Sequence, residues 1–299
     1  MNSKTVWMNT RSLLLHLRFP FSFFLLPVFL FAFSQATQPY TAKTLWVFFI
    51  LHFLIYPASN AFNSYFDKDE GPIGGLENPP PVNQSLYYVS LLMDALALIF
   101  GWFYVGTTFA LACLLYSLVS RAYSHPMVRL KKYAILSWLV VSVFQGGFTY
   151  LTVIQAVDTL PVSELNSFSY LFPALLATLN LLGFYPMTQI YQHEEDARRG
   201  DRTISRMMGI KGTFLLTATI FLAATLGFFA YFTFQTIADV PIFVIYLLIM
   251  APVLTYFGIW FLRVLKNTSN ANFRYTMGLN LLGSLCLNLF FGILCLQKF

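Results

Sequence analysis

Charge is scarce in this 299-residue sequence: 10% of the residues are Asp, Glu, Lys or Arg, and 58% are hydrophobic. Soluble domains carry about 25% charged residues, so the composition excludes an ordinary water-soluble enzyme and indicates a polytopic membrane protein. Cysteine is also scarce. Cys113, Cys286 and Cys295 sit in apolar runs, which excludes a disulfide framework or a thiolate metal site and leaves them as small buried residues. Gly-rich phosphate loops, paired His and Cys ligands and a Ser–His–Asp arrangement are all missing, and His16, His52, His125 and His193 are scattered. No cleavable leader is evident, because the first apolar run lacks a small-residue cleavage site and is followed by further runs. The net charge of +6 reads first as membrane orientation, with no nucleic acid implied.

What is abundant is apolar length. A helix needs ~20 apolar residues to cross the hydrocarbon core. Nine such segments are predicted, over 19–37, 44–66, 86–105, 107–122, 134–157, 165–191, 212–235, 240–264 and 274–297. The third and fourth meet at Gly106 and predict a tight helical hairpin. The expected fold is all-α and integral to the membrane: nine transmembrane helices in one bundle, with cytoplasmic loops capping a central cavity. Residues 1–18 form a cytoplasmic N-terminal segment, and 19–299 form a single transmembrane domain.

The basic residues test that count. With the N-terminus in the cytoplasm, 16 of the 18 Lys and Arg fall on the cytoplasmic side; Lys43 and Lys298 are the exceptions. Positive loops stay inside, so count and orientation support each other. The short outer loops carry Asp158, Glu164 and Asp239. Polar chemistry gathered on one face predicts a multi-pass protein of the cell's inner membrane that works at its cytoplasmic surface. Helices 2 to 4 and 6 to 8 of this count correspond loosely, each block opening on a long helix with an acidic end. They imply a parallel repeat.

Acidic residues are few and clustered. Of 12 Asp and Glu, seven lie in two stretches, Asn63-Ser-Tyr-Phe-Asp67-Lys-Asp69-Glu70 and Gln192-His-Glu194-Glu195-Asp196-Ala-Arg-Arg-Gly-Asp201. Asn63, Asp67 and Glu70 share one side of a helix that continues through them, and Gly71-Pro72 marks its end. Acidic charge at a helix C-terminus opposes the helix dipole, so a bound cation explains it better than a solvated end. Mg2+ takes oxygen ligands, keeps several waters and bridges one or two carboxylates to substrate phosphates. In the second stretch Gln192 and Asp196 share a face. Gly200 breaks the helix and lets Asp201 fold back beside Asp196, while Glu195 pairs locally with Arg199. Arg129, Lys131 and Lys132 lie on another cytoplasmic loop and Arg198, Arg199 and Arg202 adjoin the second cluster. These cations suit a diphosphate, although orientation and contact with membrane lipid are the commoner work of such residues. The π faces of Phe62, Tyr65 and Phe66 suit a carbocation near the first cluster, though most of the 33 Phe must face lipid or the core. Asp94, inside a span, is a functional candidate by default or a structural hydrogen bonder.

These motifs resemble the UbiA superfamily of intramembrane prenyltransferases. Asn63-x-x-x-Asp67 with its following acids is similar to the family's first aspartate-rich motif. Asp196-x-x-x-x-Asp201, within Tyr-Gln-x-x-Glu-Asp-x-x-Arg-Gly-Asp-x-Thr, is similar to its second. Tyr123-Ser-x-Pro-x-x-Arg129-Leu-Lys131 resembles the loop after helix 4, and Arg18-Phe-Pro-Phe-Ser the entry to the first helix. One departure stands out: Gly71 occupies the place where the family sets an acid four residues after the first aspartate, with Asp69 and Glu70 just before it. The resemblance implies a Mg2+-dependent enzyme that ionises a prenyl diphosphate and passes the prenyl group to a hydrophobic aromatic or hydroxyl acceptor. Asp67 and Asp196 would be catalytic metal carriers, Asp69, Glu70 and Asp201 would support them, and Asn63 would orient the site with Gln192 as further support. Tyr123, Arg129, Lys131, Lys132 and Arg199 would contact the diphosphate. A terpene cyclase on the same scaffold is the alternative. A transporter fits less well, since its charged sites lie near the midplane.

Overall fold

The computed structural model describes residues 10–37, 42–235 and 240–297. Lys4, Asp239 and Lys298 lie outside the described residues. Among the described residues the regular structure is helical, and paired extended backbone is confined to two isolated bridges, Ile73 with Leu76 and Tyr133 with Arg202. The chain divides into two compact units: residues 1–23 with 42–130, and 24–41 with 131–299.

In the first unit α1 (Thr10–Leu17) leads into a short 3-10 turn, Phe19–Phe24. The long helix α3 spans Ala42–Asp67. Its 26 residues rise about 39 Å, enough to cross a bilayer core. A wider π-helical turn at Ile50–Ile55 precedes Pro57; it relieves the clash between the proline ring and the preceding turn. Next come α4 (Gln84–Val105) and α5 (Thr107–Ser124). Gly106 joins them with φ 143°, a conformation open to glycine, so the predicted hairpin forms. The loop after α3 is pinned by the N-terminal segment. His16 Nε2 lies 2.7 Å from the Pro80 carbonyl, and Arg18 donates to the carbonyls of Gly74 (3.3 Å) and Asn60 (3.1 Å).

The second unit contains α2 (Leu26–Gln35), α6 (Ala134–Asp158), α7 (Phe168–Gln189), α8 (His193–Arg198), α9 (Ile204–Thr233), α10 (Val240–Lys266) and α11 (Phe273–Leu296). Gly146 and Gly147 let α6 approach α7 closely, since a Cβ at Gly146 would meet the Thr178 Cα at 2.7 Å. Phe31 sits among Tyr150, Phe228 and Phe291, with ring centroids 4.5 to 5.6 Å away. Such aromatic packing fills the core, while Phe103, 76% exposed on α4, illustrates the outward-facing remainder. The three cysteines are buried, as their apolar settings predict.

Among the described residues seven helices are long and apolar enough to cross a membrane, or eight if Thr10–Phe24 and Leu26–Gln35 together count as one. The predicted count of nine is therefore not reached. Segment 19–37 is broken at Leu25, between the 3-10 turn that contains Pro20 and α2, which opens with Pro27. Segment 107–122 does fold as the 18-residue α5; with Ser117, Ser120, Arg121 and Ser124 in its final turns it is not among those seven helices.

Candidate active site

Asp67 is the last residue of α3, where Lys68 turns left-handed at φ 49° and its N–H bonds to the Ser64 carbonyl. The helix thus stops before Glu70, and the face predicted to join Asn63, Asp67 and Glu70 joins only the first two. A left-handed lysine leaves little mark in a sequence, which is why Gly71-Pro72 gave too late an ending. Asp67 is buried. The Asn63 amide donates from Nδ2 to Asp67 Oδ2 at 2.6 Å and to Ser124 Oγ at 2.8 Å. Asp69 is half-buried and Glu70 exposed on the following loop.

Around this carboxylate is an aromatic cluster. Phe62 and Phe66 lie 4.6 Å apart, His125 is 5.1 Å from Phe66, and Tyr65 is 5.3 Å from Tyr87. The Arg121 guanidinium lies 4.5 Å over the Phe62 ring and is ion-paired with Asp94. Asp94 also accepts from Ser117 Oγ at 3.0 Å, so its structural reading is the one the contacts describe. Tyr123 stands in the last turn of α5, and the turn beyond it closes with the Arg129 N–H on the His125 carbonyl (2.8 Å).

The second cluster occupies its own short helix. α7 ends at Gln189, Gln192 caps α8, and the Asp196 N–H bonds to the Gln192 carbonyl. Gly200 is left-handed at φ 73°. The Gly200 N–H reaches the Ala197 carbonyl and the Asp201 N–H the Asp196 carbonyl, the paired bonds of a Schellman ending. The predicted fold-back of Asp201 therefore occurs in the backbone, but the side chains take different partners. Asp196, half-buried, accepts from Thr203 Oγ1 at 3.1 Å. Asp201, wholly buried, pairs with the buried Lys131 at 3.1 Å. Arg199 grips Glu195 through Nε (3.1 Å) and Nη2 (2.7 Å), the local pair expected from the spacing. Exposed Lys132 places its ammonium 5.2 Å from the Tyr133 ring. His193 bonds to Ser205 at 2.7 Å, and burial, helped by the Arg206 charge, holds its imidazole below the usual histidine range.

Sequence reasoning missed Ser124, Thr203 and Arg121 as partners of the acidic groups. Their polarity was visible; their pairing across separate elements was not. Among the described residues no three His, Cys, Asp or Glu side chains gather into a metal cage. The donors are instead single carboxylates supported by an amide or a hydroxyl. That set fits Mg2+, which takes one or two carboxylates and completes its shell with water and phosphate oxygens.

No curated protein matches the chain. Solved structures do. A UbiA homolog from Archaeoglobus fulgidus bound to DMAPP and Mg2+ matches with TM-score 0.69 and 14% identity, over 96% of this chain and 98% of that one. The same homolog bound to GPP and Mg2+ gives 0.63 at 14% identity, covering 95% and 99%. A digeranylgeranylglyceryl phosphate synthase gives 0.61 at 16% identity, covering 96% and 99%. At these identities the likeness is one of fold. The family model for UbiA prenyltransferases matches residues 24–282, and the chain belongs to the UbiA prenyltransferase family.

Proposed function

We propose that this protein is a Mg2+-dependent intramembrane prenyltransferase that ionises a prenyl diphosphate and transfers the prenyl group to an aromatic or hydroxyl acceptor. The observation that carries the reading is the buried Asp67 carboxylate oriented by Asn63 in a UbiA chain that also carries the Asp196 cluster. The A. fulgidus homolog's Mg2+ complexes with DMAPP and GPP support the substrate class. Residues 19–299 act as one functional domain, with the family match covering both clusters.

Asp67, oriented by Asn63, and Asp196, next to Gln192, would each carry Mg2+; Asp69 and Glu70 would add negative charge to the first cluster, and Asp201, paired with Lys131, would steady the second. Bound Mg2+ supplies Lewis-acid stabilisation of the departing diphosphate. Tyr123 would donate a hydrogen bond to that leaving group, and Arg129, Lys131, Lys132 and Arg199 would offset its charge as the C–O bond breaks heterolytically. The allylic cation forms beside aromatic faces such as Phe62, Tyr65 and Phe66, which stabilise it. The acceptor then forms the new bond and loses a proton. The basic-residue pattern supports a site at the cytoplasmic face.

Diphosphate release by the purified protein in detergent, with Mg2+ and prenyl diphosphates of several lengths, tests the reading. Release should need Mg2+, proceed with an acceptor, and vanish in Asp67→Ala and Asp196→Ala. Unchanged release in both variants would remove the mechanism. Hydrocarbon product without acceptor would replace transfer by cyclisation.

A further inference from the structure

The first acidic cluster is tied to α5 by contacts that the proposed reaction does not use. Two polar rungs join α3 to α5: Ser59 bonds to Ser120, and Asn63 bonds to Ser124. Each pair is four residues beyond the previous one on both helices, so the rungs are one helical turn apart on parallel elements. The upper rung is the informative one. An amide NH2 has two protons, and Asn63 gives one to Asp67 Oδ2 (2.6 Å) and the other to Ser124 Oγ (2.8 Å). The opposite amide orientation would set a carbonyl oxygen against a carboxylate oxygen. The Asp67 contact therefore dictates which way the amide faces, and Ser124 stands where the second proton arrives. Ser124 is wholly buried, so water cannot readily take its place. The amide carbonyl Oδ1 is turned away from Asp67, which leaves it as an oxygen donor.

We infer that Ser124 is a positioning residue of the first carboxylate motif. It locks the Asn63 amide so that its NH2 holds Asp67 in one rotamer and its carbonyl faces outward as a second oxygen ligand. Ser124 touches neither metal nor substrate; it acts through Asn63. The inference rests on Asp67 being a metal carrier, as proposed above. Partners at one remove from a metal are worth 10- to 100-fold in affinity, and a lost partner for a buried amide proton leaves that donor unsatisfied.

The test is Mn2+ binding to the purified full chain, followed by the electron paramagnetic resonance signal of free Mn2+, with an inert prenyl thiolodiphosphate present. Ser124→Ala should weaken binding about tenfold. Ser124→Thr, which keeps the hydroxyl, should restore it, and Ser124→Cys, with a weaker acceptor, should fall between and stands in for Ala if that variant does not fold. Ser120→Ala removes the other rung without touching Asn63 and should bind as wild type. Ser124→Ala binding like wild type, or Ser120→Ala weakening Mn2+ equally, would overturn the inference. Asp67→Ala separates the two levels: if it weakens Mn2+ while Ser124→Ala does not, only the positioning role falls. If Asp67→Ala binds Mn2+ normally, the metal reading and this inference fall together.

Discussion

The two acidic clusters solve one problem by different means. Asp67 ends a 26-residue helix and is held by an amide that is itself held by a serine. Asp201 follows a six-residue helix and is held by a buried ammonium from a loop 70 residues earlier in the chain. Neutral donors orient a carboxylate without cancelling its charge. An ammonium orients it and compensates the charge as well. The acids of the two motifs are therefore not equivalent. The Asn63 amide fixes how Asp67 is presented, and Lys131 ties down Asp201 and with it the loop that follows Asp196.

The largest effect should come from neutralising Asp67. Asp67→Asn should slow diphosphate release on the order of 10³-fold, about 4 kcal/mol of barrier, with little change in the thermal midpoint. Asp201→Asn should do the reverse, lowering the midpoint more than the rate per folded molecule. Equal rate losses at unchanged stability would break the contrast between the two carboxylates.

Next in size is the Lys131–Asp201 pair. Removing one partner of a buried pair costs about 3–5 kcal/mol, whereas replacing both by apolar groups of similar volume is often neutral. Lys131→Met should therefore destabilise strongly in denaturant titration, and Lys131→Met with Asp201→Leu should recover much of the loss. A single variant as stable as wild type would show that the pair does not fasten the loop.

The Schellman turn gives a smaller effect. A Cβ at Gly200 meets nothing within 4 Å, so Gly200→Ala bears only the cost of its left-handed backbone, roughly 1 kcal/mol. A loss above ~3 kcal/mol, seen by the same titration, would mean that the turn does more than end α8.

The smallest is a pH effect confined to the second cluster. His193 has its pKa lowered in the folded chain by burial, then by Arg206. Both states are neutral above the unfolded value of 6.5, so stability is undiminished there. As pH falls below 6.5 the unfolded chain takes the proton first, and stability declines until the folded pKa is passed. His193→Gln should flatten the thermal midpoint between pH 7.5 and 5; an unaltered slope would assign the decline to another group.

Much of this was legible in the sequence because it is local. The four-residue spacing of Asn63 and Asp67, the glycine that ends α8, the Glu195–Arg199 pair and the Gly106 hairpin all depend on neighbours along the chain. What was illegible depends on pairing at a distance. The pairing of Lys131 with Asp201 went unseen because nothing beside Lys131 in the sequence names its partner, and Asp94 stayed open because Arg121 lies a helix away. The end of α3 was misplaced for a different reason: a left-handed lysine has no compositional signature. The polar end of α5 was visible in the sequence, but that its hydroxyls and guanidinium face Asn63, Ser59 and Asp94 was not.

The pinning of the loop after α3 also bears on how the chain comes together as it is made. His16 finds its partner 64 residues later, and Arg18 finds Gly74 56 residues later. The opening helix leaves the ribosome early, but its contacts with this loop wait until the stretch up to Pro80 has emerged. Closing that span costs loop entropy before any contact rewards it, so the loop after α3 is fastened only when the start of the chain returns to it.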